Sequence, residues 1–265
     1  MTTAATLDIR REGAVAHVFL NRPEVRNAFN DGVIAELTVQ FRAFADDAGL
    51  RAVVLGGHGK VFCAGADLNW MRAMADYNWE QNRADAQALA DMLWTVYSCP
   101  VPVVGRIHGD CYAGGVGLAS VCDVLVAAQG VQFCLSETRL GLVPATIGPY
   151  VVRALGEQAS RRYFASAERF DAARAQALGF VHEVVASDAI DAKVGEIVAA
   201  LAANGPAAVR ASKRLVKDLA GRPIDEALRA ETARRIADIR ASAEGKEGVQ
   251  SFLSKRAPNW QGGAK

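Results

Sequence analysis

The chain has 265 residues, enough for one large domain and too many for a peptide-sized binding module. Hydrophobic residues make up 51% and charged residues 22%, which supports a sizeable core and excludes wholesale disorder. Lys+Arg is 30 against 29 Asp+Glu, so the near-neutral chain lacks the basic excess of a general nucleic-acid binder.

In chain order, Leu7–Arg11 and Val15–Leu20 flank Glu12-Gly13-Ala14 and read as a hairpin pair. Asn30-Asp31 caps a helix running to about Asp46, with Val33, Ile34, Leu37, Phe41 and Phe44 at helical spacing. Ala52–Leu55 is a buried strand ending in Gly56-Gly57, and a long helix spans about Trp79 to Tyr97. Pro100 and Pro102 punctuate the entry to a strand over Val101–Ile107. Val124–Ala127 leads through Gln129-Gly130 into Val131–Leu135. Three units therefore run in a row, each an apolar strand, a glycine turn and a further short strand or helix, as in turns of a ββα superhelix.

From about Ile147 the pattern is helical, with helices expected over Ser160–Ala165, Ala172–Leu178, Ala189–Ala203, Ala207–Leu219, Ile224–Ile239 and Glu247–Phe252. The expected organisation is α/β: a core over residues 1–200 and a helical region over 201–265, two layers of one unit with a soft boundary near residue 200. The segment from Pro206 to Lys265 carries 13 Lys+Arg and 7 Asp+Glu. That basic surface is either a solvated helical face or a neighbour of an anionic ligand.

Charge-free stretches such as Val124–Ser136 run 13 residues. A membrane span needs roughly 20, so none is expected. The N-terminal stretch shows no basic segment followed by an apolar run, so no secretory signal is expected. The five cysteines (Cys63, Cys99, Cys111, Cys122 and Cys134) are odd in number and form no CxxC, which fits buried free thiols in a reducing cytoplasm. The histidines are scattered, so no metal site is expected.

Three segments can carry chemistry. In Lys60–Asn69 the small residues Ala64, Gly65 and Ala66 lie between a strand and a helix. Such a turn presents backbone N–H groups to an anionic oxygen, or is simply a tight turn capped by Asp67. In His108–Ser120, Gly114, Gly115 and Gly117 sit where a loop becomes a helix; Ser120 in the third glycine position argues against a dinucleotide fingerprint. In Leu135–Pro144, Glu137 is either salt-bridged to Arg139 or a general acid/base of shifted pKa. No G-x-S-x-G and no GxxxxGK[ST] occurs.

These segments, in this order, resemble the crotonase (enoyl-CoA hydratase/isomerase) superfamily over nearly the whole chain. The likeness extends to Asn21–Ala28, Cys122-Asp123 and Phe252–Pro258. The resemblance implies a spiral ββα core, a C-terminal helical region used for trimerisation and for covering the CoA site, and an acyl-CoA substrate. It puts an oxyanion hole on the N–H groups of Ala66 and Gly114 and an acid/base on Glu137. It puts CoA beside Arg26, Ala64, Asp67, Leu68, Asn69, Gly115, Phe252 and Lys255. No cofactor beyond the substrate's own CoA and no metal is implied.

Hydratases of this family often carry a further glutamate three residues after the oxyanion glycine, where this chain has Gly117. One carboxylate suits an isomerase, or a hydratase that relays a water proton. Segments Cys63–Met71, Gly114–Leu118 and Ser136–Pro144 are similar to bacterial methylglutaconyl-CoA and carboxygeranoyl-CoA-type hydratases, which favours hydration of a branched or carboxylated enoyl-CoA. A thioester hydrolase and a non-catalytic acyl-CoA binder remain alternatives. Trp70, Met71, Met74, Trp94 and Tyr97 are candidates either for an acyl pocket or for core and subunit contacts. The expected assembly is a homotrimer or a dimer of trimers in the cytoplasm.

Overall fold

The computed structural model describes residues 6–262. The first five residues of the stretch considered for a leader, and residues 263–265 at the end of the helical region, lie outside the described residues.

Two sheets organise the core. The larger has the order β1 (Leu7–Glu12), β2 (Val15–Leu20), β3 (Ala52–Gly57), β5 (Val103–Ile107), β7 (Val124–Ala128) and β10 (Glu183–Val185). The smaller has the order β4 (Val61–Cys63), β6 (Asp110–Tyr112), β8 (Gln132–Cys134) and β9 (Arg169–Asp171). Among the described residues, β1/β2 and β8/β9 pair antiparallel and the other strand pairs are parallel. Each turn of the spiral places one strand in each sheet: β3 then β4, β5 then β6, β7 then β8. The three strand-glycine units of the sequence are these turns. Strand β3 is buried along its whole length, which accounts for its unbroken apolar run, whereas β2 alternates because one face alone meets the core.

The helices follow local signals. Helix α1 (Asp31–Asp46) starts at Asn30, whose side chain accepts from the Val33 N–H at 2.9 Å, and buries the five predicted apolar residues. After α2 (Leu68–Ala75), helix α3 (Trp79–Ser98) opens with a reciprocal capping box between Asn78 and Gln81 and packs on α1. Helix α4 (Gly114–Ser120) is almost wholly buried and meets α5 (Gly148–Leu155), which is followed by α6 (Glu157–Ser166) and α7 (Ala172–Ala177).

The second half is less purely helical than the sequence suggests: β9 closes the small sheet and β10 the large one. Helix α8 (Ile190–Ala203) crosses position 200 and packs on β3, β5 and β7. Helix α9 (Pro206–Leu219) is bolted to the core: Arg210 donates to the Leu50 carbonyl, and Lys213 to the Val101 carbonyl and Asp123. Helices α10 (Glu226–Ala241) and α11 (Ala243–Leu253) pack on each other and, through α11, on α9. They leave Ile224, Phe252 and Leu253 in solvent. No helix among the described residues is long and apolar enough to cross a membrane.

Candidate active site

Strands β4, β6 and β8 are parallel neighbours, so the segments leaving their C-terminal ends lie side by side. Those segments are 64–67, 113–114 and 135–137. The sheet thus gathers the three stretches that the sequence singles out.

The first loop is held by the N-terminal segment. The Ala64 N–H donates to the Arg26 carbonyl at 3.0 Å, the Phe29 N–H to the Gly65 carbonyl at 2.7 Å, and the Asp67 N–H to the Phe29 carbonyl at 2.7 Å. Phe29 and Ala66 form a parallel bridge in which the bonded groups belong to Gly65 and Asp67. The Ala66 N–H therefore turns away from Phe29, and no acceptor for it occurs among the described residues. Gly65 has φ +93°, and a Cβ there would lie 2.9 Å from the Ala113 Cβ and 3.7 Å from the Gly114 nitrogen. Only glycine permits both this conformation and the close approach of the two loops.

Ala113 sits at φ 47° and ψ −118°, a strained conformation worth about 1–3 kcal/mol. It is pinned by its N–H donating to the Cys134 carbonyl at 2.8 Å, while its own carbonyl accepts from Val116. Gly114 follows as the first residue of α4, so its N–H has no acceptor within the helix. The N–H groups of Ala66 and Gly114, neither of which has an acceptor among the described residues, thus occupy loops in van der Waals contact.

Glu137 opens the 3-10 turn after β8. The salt bridge to Arg139 is absent: Arg139 donates to the Ala167 carbonyl instead. The buried Oε2 of Glu137 has no hydrogen-bond partner. Burial raises its pKa above the ordinary 4.5, with its own backbone N–H opposing weakly. A half-buried carboxylate with one buried, unpartnered oxygen and a pKa shifted upward is a candidate acid/base.

Gly117 is buried on α4, and a Cβ built there would lie 2.1 Å from Cγ2 of Ile147. Packing, not open space, fills the place where a side chain at this position would go.

The other expected site residues fall into groups. Arg26 is exposed at φ 56°, next to the loop through its own carbonyl. Leu68 and Asn69 are exposed at the start of α2. Asp67 is buried, and its carboxylate is committed: Oδ1 accepts from the Asn69 and Trp70 N–H groups, and Oδ2 pairs with Arg22 at 2.7 Å. Burial opposes ionisation of Asp67, but these donors together hold its carboxyl below the usual range. Gly115 is buried against Cys63, where a Cβ would lie 2.6 Å from the Cys63 carbonyl oxygen; it backs the donor loop. Phe252 and Lys255 are exposed at the end of α11. Trp70 donates its indole N–H to Asp85 at 2.9 Å, and Tyr97 lies between Trp94 and Tyr150.

Sequence reasoning left Arg22, Asn27, Phe29 and Ile147 without a role. Buried Asn27 accepts from the Arg22 N–H and donates to the carbonyls of His58 and Val61, tying the N-terminal segment to the β3–β4 turn. The motif Asn21–Ala28 was the available signal for Arg22 and Asn27.

The profile of the enoyl-CoA hydratase/isomerase family matches residues 10–263. Among solved structures, an enoyl-CoA hydratase from Shewanella pealeana is 39% identical with a TM-score of 0.93, covering 96% of each chain. An enoyl-CoA hydratase of Alternaria alternata is 30% identical, covering 92% of this chain and 80% of its own. The 2,3-dehydroadipyl-CoA hydratase of Escherichia coli is 29% identical, covering 97% and 98%. The two-sheet spiral is the fold of the crotonase-type enoyl-CoA hydratases that it matches. The chain belongs to the enoyl-CoA hydratase/isomerase family, within the crotonase superfamily.

Proposed function

We propose that the protein hydrates an α,β-unsaturated acyl-CoA to the 3-hydroxyacyl-CoA. The N–H groups of Ala66 and Gly114 bind the thioester oxygen and stabilise the negative charge it gains in the enolate. The Glu137 carboxylate takes a proton from water as the water oxygen bonds to Cβ, and then gives that proton to Cα of the enolate, which restores the carboxylate and completes the addition. The observation that carries this reading is the buried, unpartnered Oε2 of Glu137 in the turn after β8, the strand that neighbours the two donor loops. The test is the loss of enoyl absorbance on a panel of 2-enoyl-CoA thioesters, with Glu137→Gln as control.

The substrate we favour is branched or carboxylated, such as 3-methylglutaconyl-CoA, on the likeness of the Cys63–Met71 and Ser136–Pro144 segments to hydratases of leucine breakdown. The dehydroadipyl-CoA hydratase relative supports a carboxylated acyl group as one arm of the panel. CoA lies along Arg26, Ala64, Leu68 and Asn69, with Phe252 and Lys255 closing over it, while Asp67 and Gly115 support the loops from behind. No metal or added cofactor is needed, because two N–H donors and one carboxylate account for every charge and proton moved. Solvent-exposed apolar side chains on the C-terminal helices support a trimer or dimer of trimers, and five free cysteines support a cytoplasmic setting.

A second reading, double-bond isomerisation, is favoured by one observation: Ile147 fills the space at Gly117, leaving Glu137 without a second carboxylate at that place. The same panel separates it, since an isomerase adds no water mass. Free thiol would mark a hydrolase, and no change a non-catalytic binder.

A further inference from the structure

We infer that Phe29 is a positioning residue that sets the spacing between the two oxyanion donors; this rests on the oxyanion role of Ala66 and Gly114 proposed above. Phe29 touches both loops with different parts of itself. Its backbone holds the first loop on each side of Ala66, through the bonds to Gly65 and Asp67 at 2.7 Å. Its ring holds the second: a Cβ added to Gly114 would lie 3.0 Å from Phe29 Cδ2 and 3.1 Å from Cε2. The ring is 1% exposed and has no freedom to swing away.

The flanking residues keep the gauge fixed. Arg22 donates to the Ala28 carbonyl at 2.7 Å and pairs with Asp67 at the same distance, so it spans from the residue before Phe29 to the residue after Ala66. Asn27 anchors the segment to the β3–β4 turn through its two donated bonds. Backbone donors act only where they point at the oxygen that gains charge, so a fixed separation of two such donors is itself a catalytic requirement. A flat ring wedged against a glycine sets that separation from one side, and the bridge sets it from the other.

The test is reciprocal. Phe29→Leu leaves both backbone bonds intact and removes the ring edge. Gly114→Ala keeps the N–H and pushes against the ring by a few tenths of an ångström. Each single variant is expected to lose about 10-fold in kcat with KM nearly unchanged. The double variant is expected to be no slower than the worse single, because the leucine opens the space that the new methyl needs. Independent losses, multiplying to about 100-fold, would overturn the inference. So would a Phe29→Leu enzyme with wild-type kcat. Where the leucine variant melts before assay, Phe29→Met, similar in volume, takes its place.

A second readout does not depend on turnover: the fraction of bound acetoacetyl-CoA present as its near-ultraviolet-absorbing enolate, which reports oxyanion stabilisation directly. The singles are expected to lower it and the double to recover it. If the wild type raises this fraction and shows the coupling but hydrates no enoyl-CoA, the hydratase reading fails and Phe29 keeps its role. If it hydrates and the variants are independent in both readouts, Phe29 alone loses its role. If the wild type neither hydrates nor raises the enolate fraction, both fall.

Discussion

Ile147 stands where a side chain at Gly117 would have to go, its Cγ2 2.1 Å from the position of the missing Cβ, and it is buried on the far side as well. A carboxylate introduced by Gly117→Glu therefore meets packed hydrocarbon. The expected result is no gain in hydration and a loss of stability of about 2 kcal/mol or more, from overpacking and a buried charge. Thermal melts and assays on the panel check this. Pairing it with Ile147→Ala should recover part of the lost stability.

Glu137→Gln should still bind acyl-CoA and lose most turnover, with the loss in kcat. Stability should move the other way. Burial raises the Glu137 pKa in the fold, so ionising it costs the folded state free energy as pH climbs from about 4.5, the ordinary carboxyl value, through the raised one. At neutral pH the glutamine variant should melt at or above the wild-type temperature. The difference should shrink as pH falls back towards the ordinary range.

The same shift sets the acid limb of activity. A base must be ionised to take a proton from water, so kcat/KM should fall with decreasing pH through a midpoint above the ordinary glutamate value. A pH profile with its acid midpoint at or below 4.5 would speak against Glu137 as that base.

Asp67 acts as a strut. Asp67→Ala removes the cap of α2 and leaves the Arg22 guanidinium, 18% exposed, without its anion. A loss of roughly 2–4 kcal/mol is expected, read by denaturant titration, together with reduced kcat from a loosened Ala66 loop.

The exposed C-terminal apolar residues predict association. Ile224 is 87% and Leu253 73% exposed, more than a lone protomer usefully leaves in water. Light scattering at micromolar concentration should give a trimer or a multiple of it, and Ile224→Glu with Leu253→Glu should shift it towards monomer. A wild-type monomer would contradict the assembly.

The legible parts of the fold were those carried by local signals. Asn30 and the spacing of Val33, Ile34, Leu37, Phe41 and Phe44 fixed α1 to within a residue. Strands β9 and β10 left no such trace, because three residues show no period and both exist through pairing with β8 and β7 at the sheet ends. Helix α5 lies in the stretch read as helical from about Ile147 but was given no bounds of its own; its Pro149 sits in the first turn, where a proline is tolerated. In the site, the small-residue loops and the isolated glutamate were visible as chemistry, while the assignment of donors to Ala66 and Gly114 came through the family likeness. Phe29 and Ile147 were invisible because each acts through a glycine distant in sequence, and no local pattern encodes which side chain a missing Cβ makes room for.

The most direct test of the account is the product formed from a 2-enoyl-CoA in deuterated water, with wild type beside Glu137→Gln. The account predicts a 3-hydroxyacyl-CoA carrying one deuterium at Cα and the mass of added water, formed by the wild type and nearly absent with the variant. A product with a shifted double bond and no added water, or equal hydration by Glu137→Gln, would contradict it.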